Sequence, residues 1–195
     1  MSDNKKDAKP TESIKLKPKR VSPFEHFRSQ RRWNLERLNR AFMRRNFKRF
    51  FDFFTVGTSN KKPWELLNLF KLPVFSCNLL IDIRSNPYSR HTPDWNKNNL
   101  SELCKVKDIG YVHMPNLGTP SAIRKLLYSG QMTYEQFFLW YDDNILLRKN
   151  LEEIVEIVRN NNAAFLCTEL GPTYCHRHRI ALKLEENLGY VSFDL

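Results

Sequence analysis

Short apolar runs alternate with helical patterns along most of this chain. Continuous apolar runs, typical of strands buried on both faces of a sheet, occupy residues 53–56, 77–83, 111–113, 163–167 and 190–193. Apolar residues at helical spacing separate these runs, at residues 63–71, 98–107, 121–128, 134–147, 150–161 and 174–188. This alternation predicts an α/β fold with a mostly parallel sheet of about five strands and helices on both faces.

The first fifty residues follow a different pattern. Ser22 as N-cap, Pro23 at the first helical position and Glu25 closing a capping box predict the start of a helix. Apolar residues at helical spacing follow, among many arginines. We therefore divide the chain into a disordered basic tail, a basic amphipathic helical arm and an α/β domain, at residues 1–21, 22–50 and 51–195.

Charge is distributed very unevenly between these parts. Residues 1–50 contain 16 Lys and Arg against 5 Asp and Glu, whereas residues 51–195 contain 16 of each. The formal net charge of +11 thus lies in the first quarter of the chain and predicts a polyanionic partner, either nucleic acid or an anionic membrane surface. Alternatives remain open: the Lys-rich cluster at residues 15–21 is a nuclear-import or phosphate-binding segment or a solvated tail. For the arm, the alternatives are binding to nucleic acid, lying on a membrane surface and packing on the α/β domain.

Composition and cysteine usage indicate an intracellular protein. No apolar run approaches the roughly 18 residues that a membrane helix needs, and the N-terminus has charged residues where a signal peptide would be apolar. The four cysteines lie in or beside predicted strands and helices, which indicates reduced thiols. We expect a cytoplasmic location, with nuclear or nucleoid association through the basic arm as an option.

The stretch at residues 164–179 contains the strongest candidate chemistry. An apolar strand ends in Cys167, a turn follows, and a helix restarts with Cys175, His176 and Arg177 in its first turn. The positive end of the helix macrodipole and the neighbouring arginines favour a thiolate there. We therefore predict Cys175 as a nucleophile. The alternative is that both cysteines are buried packing residues, with His176 and Arg177 bound to strand-end carbonyls.

Two groups follow as partners of that nucleophile. Either His176 or His178 is the expected base, and Glu169, across the turn, is the expected orienting or proton-transferring carboxylate. A zinc site formed by Cys167, Cys175 and the two histidines is a less favoured alternative, because paired C-x-x-C ligands are missing. The segment is not a tyrosine-phosphatase loop, which needs arginine six positions after the cysteine, where this chain has Ala181.

Four motifs resemble those of a known family. The pattern Cys167-x-Glu169 followed by Cys175-His176-Arg177 resembles the C-terminal signature of the family called domain of unknown function 488. Residues 82–90 are similar to its Asp-Val-Arg-x-x-Pro-x-Ser-Arg motif, residues 55–60 to its opening strand and Gly-x-Ser turn, and Leu117-Gly118 to its middle glycine. The resemblance covers about residues 51–195. It implies an α/β fold and the location of a site, not a reaction.

Three of these motif segments follow strands of the predicted parallel sheet, and the carboxyl ends of parallel strands lie on one edge. We therefore expect their side chains to converge on a phosphate or carboxylate. Asp82 and Arg84 share a strand face, and either pair with each other or orient Arg84 toward the ligand. The expected catalytic residues are Cys175, His176, Glu169 and Asp82. The expected ligand-binding residues are Arg84, Arg90, Arg177, Ser59, Ser89 and Gly57.

Two functions remain open from the sequence. The first is an enzyme, a Cys-dependent hydrolase or transferase, acting on a phosphate-bearing or nucleotide-like substrate without a metal or other cofactor. The second is a non-catalytic nucleic-acid-binding protein that uses the basic N-terminal arm. Both predict an anionic ligand.

Overall fold

The computed structural model describes residues 51–195, which form one α/β fold around a five-stranded, all-parallel sheet. The strands are β1 (Phe53–Gly57), β2 (Leu79–Asp82), β3 (Gly110–His113), β4 (Ala163–Cys167) and β5 (Ser192–Asp194). The helices are α1 (Pro63–Phe70), α2 (Lys97–Val106), α3 (Ser121–Tyr128), α4 (Tyr134–Asn144), α5 (Arg148–Asn160) and α6 (His176–Leu188). The predicted fold class is confirmed. The predictions for the basic tail and arm lie outside the described residues.

Strand order in the sheet is β3-β2-β4-β1-β5. Gly57 aligns with Cys167 where β1 and β4 end, and Asp82 aligns with Leu166 one position earlier. The carboxyl ends of these strands therefore meet at one edge, as the motif positions predict. The loops that follow β1, β2 and β4 all begin there.

Helices cover both faces of the sheet because successive side chains of a strand point to opposite sides. Phe54, Leu80 and Leu166 pack with α1 and α2 on one face. Ile81 and Phe165 pack on the other face with α3, α4, α5 and α6. β1, β2 and β4 therefore contribute to two cores, which explains their continuous apolar runs in the sequence.

Most element boundaries match the predicted ones within a few residues. The last helix begins at His176 instead of residue 174, because Cys175 has an extended backbone and acts as the N-cap. The fourth helix has a capping box between Thr133 and Gln136 and ends at Asn144, three residues before the predicted end. No helix within residues 51–195 combines the length and the apolar character needed to cross a membrane.

Candidate functional site

The β4–α6 connection brings together the reactive groups expected from the sequence. The Cys175 sulfur caps α6 by accepting a hydrogen bond from the Arg177 backbone N–H at 3.4 Å. It donates to Glu169 Oε2 at 3.2 Å and lies 2.8 Å from Cys167 Sγ. His176 Nδ1 lies 3.9 Å from the same sulfur. Cys175 therefore has a carboxylate, an imidazole and a second thiol within contact distance.

Arg177 lies beneath this cluster and is fully buried. Its Nη1 atom contacts Cys167 Sγ and donates to the Glu169 carbonyl, both at 2.7 Å. Its Nη2 donates to the Leu170 carbonyl at 3.3 Å, and its Nε donates to Asp194 Oδ1 at 3.1 Å. Burial opposes the charge, but Cys167, Asp194 and Cys175 raise the pKa of Arg177 well above its usual value. Its donors are used inside the protein, so we assign it a positioning role instead of the expected ligand contact.

Gly57 and Ser59 fix the end of β1 against the end of β4. A Cβ atom on Gly57 would lie 1.8 Å from the Glu169 carbonyl oxygen and 3.0 Å from Arg177 Nη1, so only glycine permits this approach. The Ser59 hydroxyl donates to the Thr168 carbonyl at 2.6 Å. Both residues thus support the cluster through the backbone of the loop that carries Glu169.

Burial decides the protonation states at Cys175. Burial, followed by Cys167 and Glu169, raises the pKa of the Cys175 thiol well above its usual value, although Arg177 opposes this. The thiolate expected from the helix dipole is therefore not favoured in the resting state. The thiol is 1% exposed and stands beside a carboxylate. Cys175 is a hydrogen-bond donor that needs a base before it can act as a nucleophile.

His176 is the histidine whose ring faces that thiol. Burial lowers the pKa of His176, and the attraction of Glu169 only partly opposes this, so the ring is neutral at pH 7. Its Nε2 atom is buried and has no hydrogen-bond partner of good geometry within residues 51–195. The nearby Ile83 backbone nevertheless acts to raise the pKa of the ring against the effect of burial. A neutral imidazole with Nδ1 toward a thiol can accept a proton.

A small pocket of about 40 Å³ opens beside Glu169 and His176. Thr119, Arg124 and three tyrosines (Tyr128, Tyr134 and Tyr174) provide the other polar groups of its lining. Apolar neighbours complete the lining. The Thr119 hydroxyl is buried without a hydrogen-bond partner among the described residues. Thr119 thus contributes an unused hydroxyl to the pocket that Glu169 and His176 also line, as expected of a ligand-binding group.

No motif in the sequence indicates this side of the site. Its polar residues belong to no recognised motif and lie between the end of β3 and the first residue of α4, at Thr119, Arg124, Tyr128 and Tyr134. The available signal was positional: the segment follows the carboxyl end of a parallel strand, where ligand sites form. Within residues 51–195, the Arg124 side chain forms no hydrogen bond or ion pair.

Asp82 and Arg84 lie on the opposite face of the sheet. The Arg84 guanidinium donates to both Asp82 oxygens, from Nε at 2.8 Å and from Nη2 at 2.6 Å, and also to the Trp95 carbonyl at 2.7 Å. The Tyr111 hydroxyl donates to Asp82 Oδ2 at 2.8 Å. Of the two alternatives, mutual pairing is the one observed. The expected convergence with Cys175 does not occur, because Asp82 points toward α1 and α2 whereas Cys167 points toward α3–α6.

The remaining predicted ligand residues lie in the exposed loop after β2. Ser89 Oγ accepts from the backbone N–H groups of His91 at 3.1 Å and Thr92 at 3.3 Å, which shapes this loop. Arg90 is exposed and forms no hydrogen bond or ion pair with other residues between positions 51 and 195. Neither residue lines the pocket beside Cys175.

A metal ion is a poor match for this cluster. Cys167, Glu169 and Cys175 each offer one ligand atom, and these atoms lie within 4.8 Å of one another. The charged Arg177 guanidinium, however, contacts Cys167 Sγ at 2.7 Å. A divalent cation beside a buried guanidinium would be strongly repelled. The cluster is better suited to thiol chemistry.

The Glu169 carboxylate is expected to make the protein less stable as pH falls in the acid range. Burial alone would raise the pKa of Glu169, but His176 and hydrogen bonds from Cys167, the backbone and Cys175 outweigh it and lower the pKa to about 2. A pKa lowered on folding contributes stability that is present above the unfolded value and is lost as pH falls toward the folded value. The contribution should therefore be lost between about pH 4.5 and pH 2, where His176 is charged.

Urea unfolding of wild type and Glu169→Gln at several pH values between 7 and 2.5 tests this expectation. Below about pH 4.5, the difference in unfolding free energy between the two proteins should shrink as pH falls. A difference that stays constant over this range would show that the carboxylate charge does not contribute to stability.

Comparison with known proteins agrees with the motifs. No curated protein and no solved structure matches the chain. The family model described as "Domain of unknown function DUF488" matches residues 65–184, which is more than half of the chain and includes both the Cys167–Arg177 segment and the Asp82–Arg90 segment. The chain therefore belongs to the DUF488 family.

Proposed function

We propose that this protein is a thiol-dependent hydrolase or transferase that binds a phosphate-bearing substrate beside Cys175. The observation that carries the proposal is the pocket between α3 and the β4–α6 loop. Thr119, whose buried Oγ1 has no hydrogen-bond partner in the described region, lines it together with His176. Glu169 and His176 line it and also contact the Cys175 sulfur.

Arg124 is the proposed anion contact. It replaces the arginines expected from the sequence, since Arg84 is paired with Asp82 and Arg177 with Asp194. A guanidinium together with the nearby threonine and tyrosine hydroxyls supplies the donors that a phosphate group requires. Because the Glu169 carboxylate repels anions, the phosphate should lie at the Arg124 side of the pocket and the electrophilic centre toward Cys175.

The proposed chemistry begins with proton transfer. His176 Nδ1 accepts the Cys175 proton while the sulfur electron pair forms a bond to the electrophilic atom of the substrate. The bond to the leaving group breaks, and that group departs with the bonding electrons and the proton held by His176. Glu169 stabilises the imidazolium in between. Water or an acceptor hydroxyl then displaces Cys175, which recovers its thiol proton.

Two substitutions with a matched control test the proposal. Arg124→Gln should weaken binding of inorganic phosphate or a nucleoside monophosphate about tenfold or more, measured by calorimetry, because a charge-assisted contact is lost. Lys125→Gln removes the same charge from the next, exposed position of α3 and should leave affinity unchanged. Cys175→Ser should preserve binding and abolish turnover in a screen of phosphate esters. Equal losses in the two α3 variants would refute a specific anion site.

The second candidate is nucleic-acid binding through residues 1–50. It is supported by the charge asymmetry, since all of the formal net charge of +11 lies in that segment. Affinity for a nucleic-acid duplex should fall steeply with salt and disappear when residues 1–50 are deleted, while Cys175→Ser changes nothing. Affinity that does not depend on salt would contradict this function.

A further inference from the structure

Cys167 is a buried nucleophilic group that the proposed reaction does not use. Its sulfur lies 2.8 Å from that of Cys175, and both residues are free thiols. A disulfide bond is about 2.05 Å long, so the two sulfur atoms need to approach each other by less than an ångström. The residues belong to the end of β4 and the start of α6, joined by a loop of seven residues between them. A disulfide bond between the two sulfur atoms would therefore require only a small movement of this loop.

We propose that Cys167 and Cys175 form a reversible oxidation site, in which a hydroperoxide oxidises Cys175 and Cys167 resolves the product into an intramolecular disulfide. The proposal stands on the contact between the two sulfurs and on their surroundings. Its consequence for activity, that oxidation removes the nucleophile, rests on the proposed function.

The surroundings assign different roles to the two thiols. Cys175 contacts Glu169 and His176, which line the pocket, so a small oxidant entering the pocket comes closest to this sulfur. Cys167 is completely buried behind it. Arg177 Nη1 lies 2.7 Å from Cys167 Sγ and 3.6 Å from Cys175 Sγ. A guanidinium at these distances stabilises the negative charge that passes between the sulfurs during exchange.

The reaction balances in two steps. First, His176 accepts the Cys175 proton and the sulfur attacks one peroxide oxygen, so the O–O bond breaks, an alcohol or water departs with a proton, and Cys175 becomes a sulfenic acid. Second, the Cys167 sulfur attacks the Cys175 sulfur, the S–O bond breaks, and hydroxide leaves as water with the Cys167 proton. Cysteine sulfur is oxidised and peroxide is reduced. A dithiol reductant restores both thiols through a mixed disulfide.

The other two cysteines provide internal controls. Cys77 and Cys104 are buried on the α1–α2 face of the sheet, away from the pocket. Neither residue lines the pocket through which the oxidant enters, and burial raises the pKa of Cys104 to about 12 without the His176 imidazole that serves Cys175 as a base, so Cys104 should resist oxidation. Selective oxidation of the Cys167–Cys175 pair can therefore be distinguished from general damage within one sample.

The test uses the full chain treated with hydrogen peroxide, then alkylated in denaturant and analysed by peptide mass spectrometry. We expect the loss of two hydrogen atoms, a linked peptide pair containing Cys167 and Cys175, alkylated Cys77 and Cys104, and full recovery with dithiothreitol. In Cys167→Ser, the sulfenic acid at Cys175 should persist, giving a several-fold increase in the dimedone adduct over wild type.

Other outcomes would overturn the proposal. Irreversible oxidation of Cys175 without a disulfide in wild type would show that Cys167 does not resolve it. Equal oxidation of all four thiols would show that the pair is not a specific site. If Cys167→Ser does not fold, the wild-type peptide map still decides, because it needs no variant. The readout needs no substrate, so failure of the proposed enzyme activity leaves this test unaffected.

Discussion

Replacing Arg177 with glutamine is expected to lower the free energy of unfolding by about 3–5 kcal/mol. The guanidinium is fully buried and its donors reach Asp194, Cys167 and two loop carbonyls. Without it, the Asp194 carboxylate, 2% exposed, loses its buried cationic partner, although it still accepts the 2.6 Å hydrogen bond from the Thr55 hydroxyl. An uncompensated buried charge is among the costliest defects in a protein interior.

Urea unfolding measures this loss, and Arg148→Gln provides the control. Arg148 forms an ion pair with Glu152 on the surface of α5, at 2.8 Å and with both side chains largely exposed, so its loss should have little effect. The double variant Arg177→Gln/Asp194→Asn should recover part of the stability, because the buried carboxylate charge is then also removed. Similar losses in the two single arginine variants would contradict the positioning role of Arg177.

Replacing Asp82 with alanine is also expected to cost about 3–5 kcal/mol of unfolding free energy. Asp82 is completely buried and accepts hydrogen bonds from the backbone and side chain of Arg84 and from the Tyr111 hydroxyl. Arg84 is only 8% exposed, so the substitution leaves a buried guanidinium with the Trp95 carbonyl as its remaining acceptor. Asp82 is also one of the catalytic residues expected from the sequence, and these contacts add a structural role.

Thermal or urea unfolding of Asp82→Ala, with Asp143→Ala as a control on an exposed acidic residue, checks the magnitude. Asp82→Asn separates the two roles, since it keeps an acceptor but removes the charge. At a temperature where the variant stays folded, phosphate affinity at the Arg124 pocket should equal that of wild type. A folded Asp82→Asn that binds normally but loses turnover would restore a catalytic role to Asp82.

Periodicity predicted the fold well because both faces of the sheet are covered. Strands buried on both faces read as uninterrupted apolar runs, and the fourth strand was predicted with its observed bounds, Ala163–Cys167. The Cys175, His176 and Glu169 contacts could also be anticipated, since they depend on one short connection between neighbouring elements. Local sequence determines such geometry.

Two features of the site could not be predicted, and both depend on tertiary structure. The register between β2 and β4 decides whether Asp82 and Cys167 lie on the same face of the sheet. Here Asp82 is beside Leu166, so the two residues lie on opposite faces. The protonation of Cys175 depends on burial by the whole fold, which opposes the helix-dipole effect that its sequence position suggests. Arg124 and Thr119 approach the site only through the packing of α3, for which the sequence has no motif.

The strand order also has a consequence for biosynthesis. β1 is synthesised before β4 and β5, the two strands with which it pairs. The partners of Phe53, Phe54 and Val56 therefore lie more than a hundred residues later in the chain. Such distant pairing slows folding, and the nascent chain presents an unpaired aromatic strand to other ribosome-bound chains in the meantime. During translation, we therefore expect chaperones to bind this segment until residues 163–194 have left the ribosome.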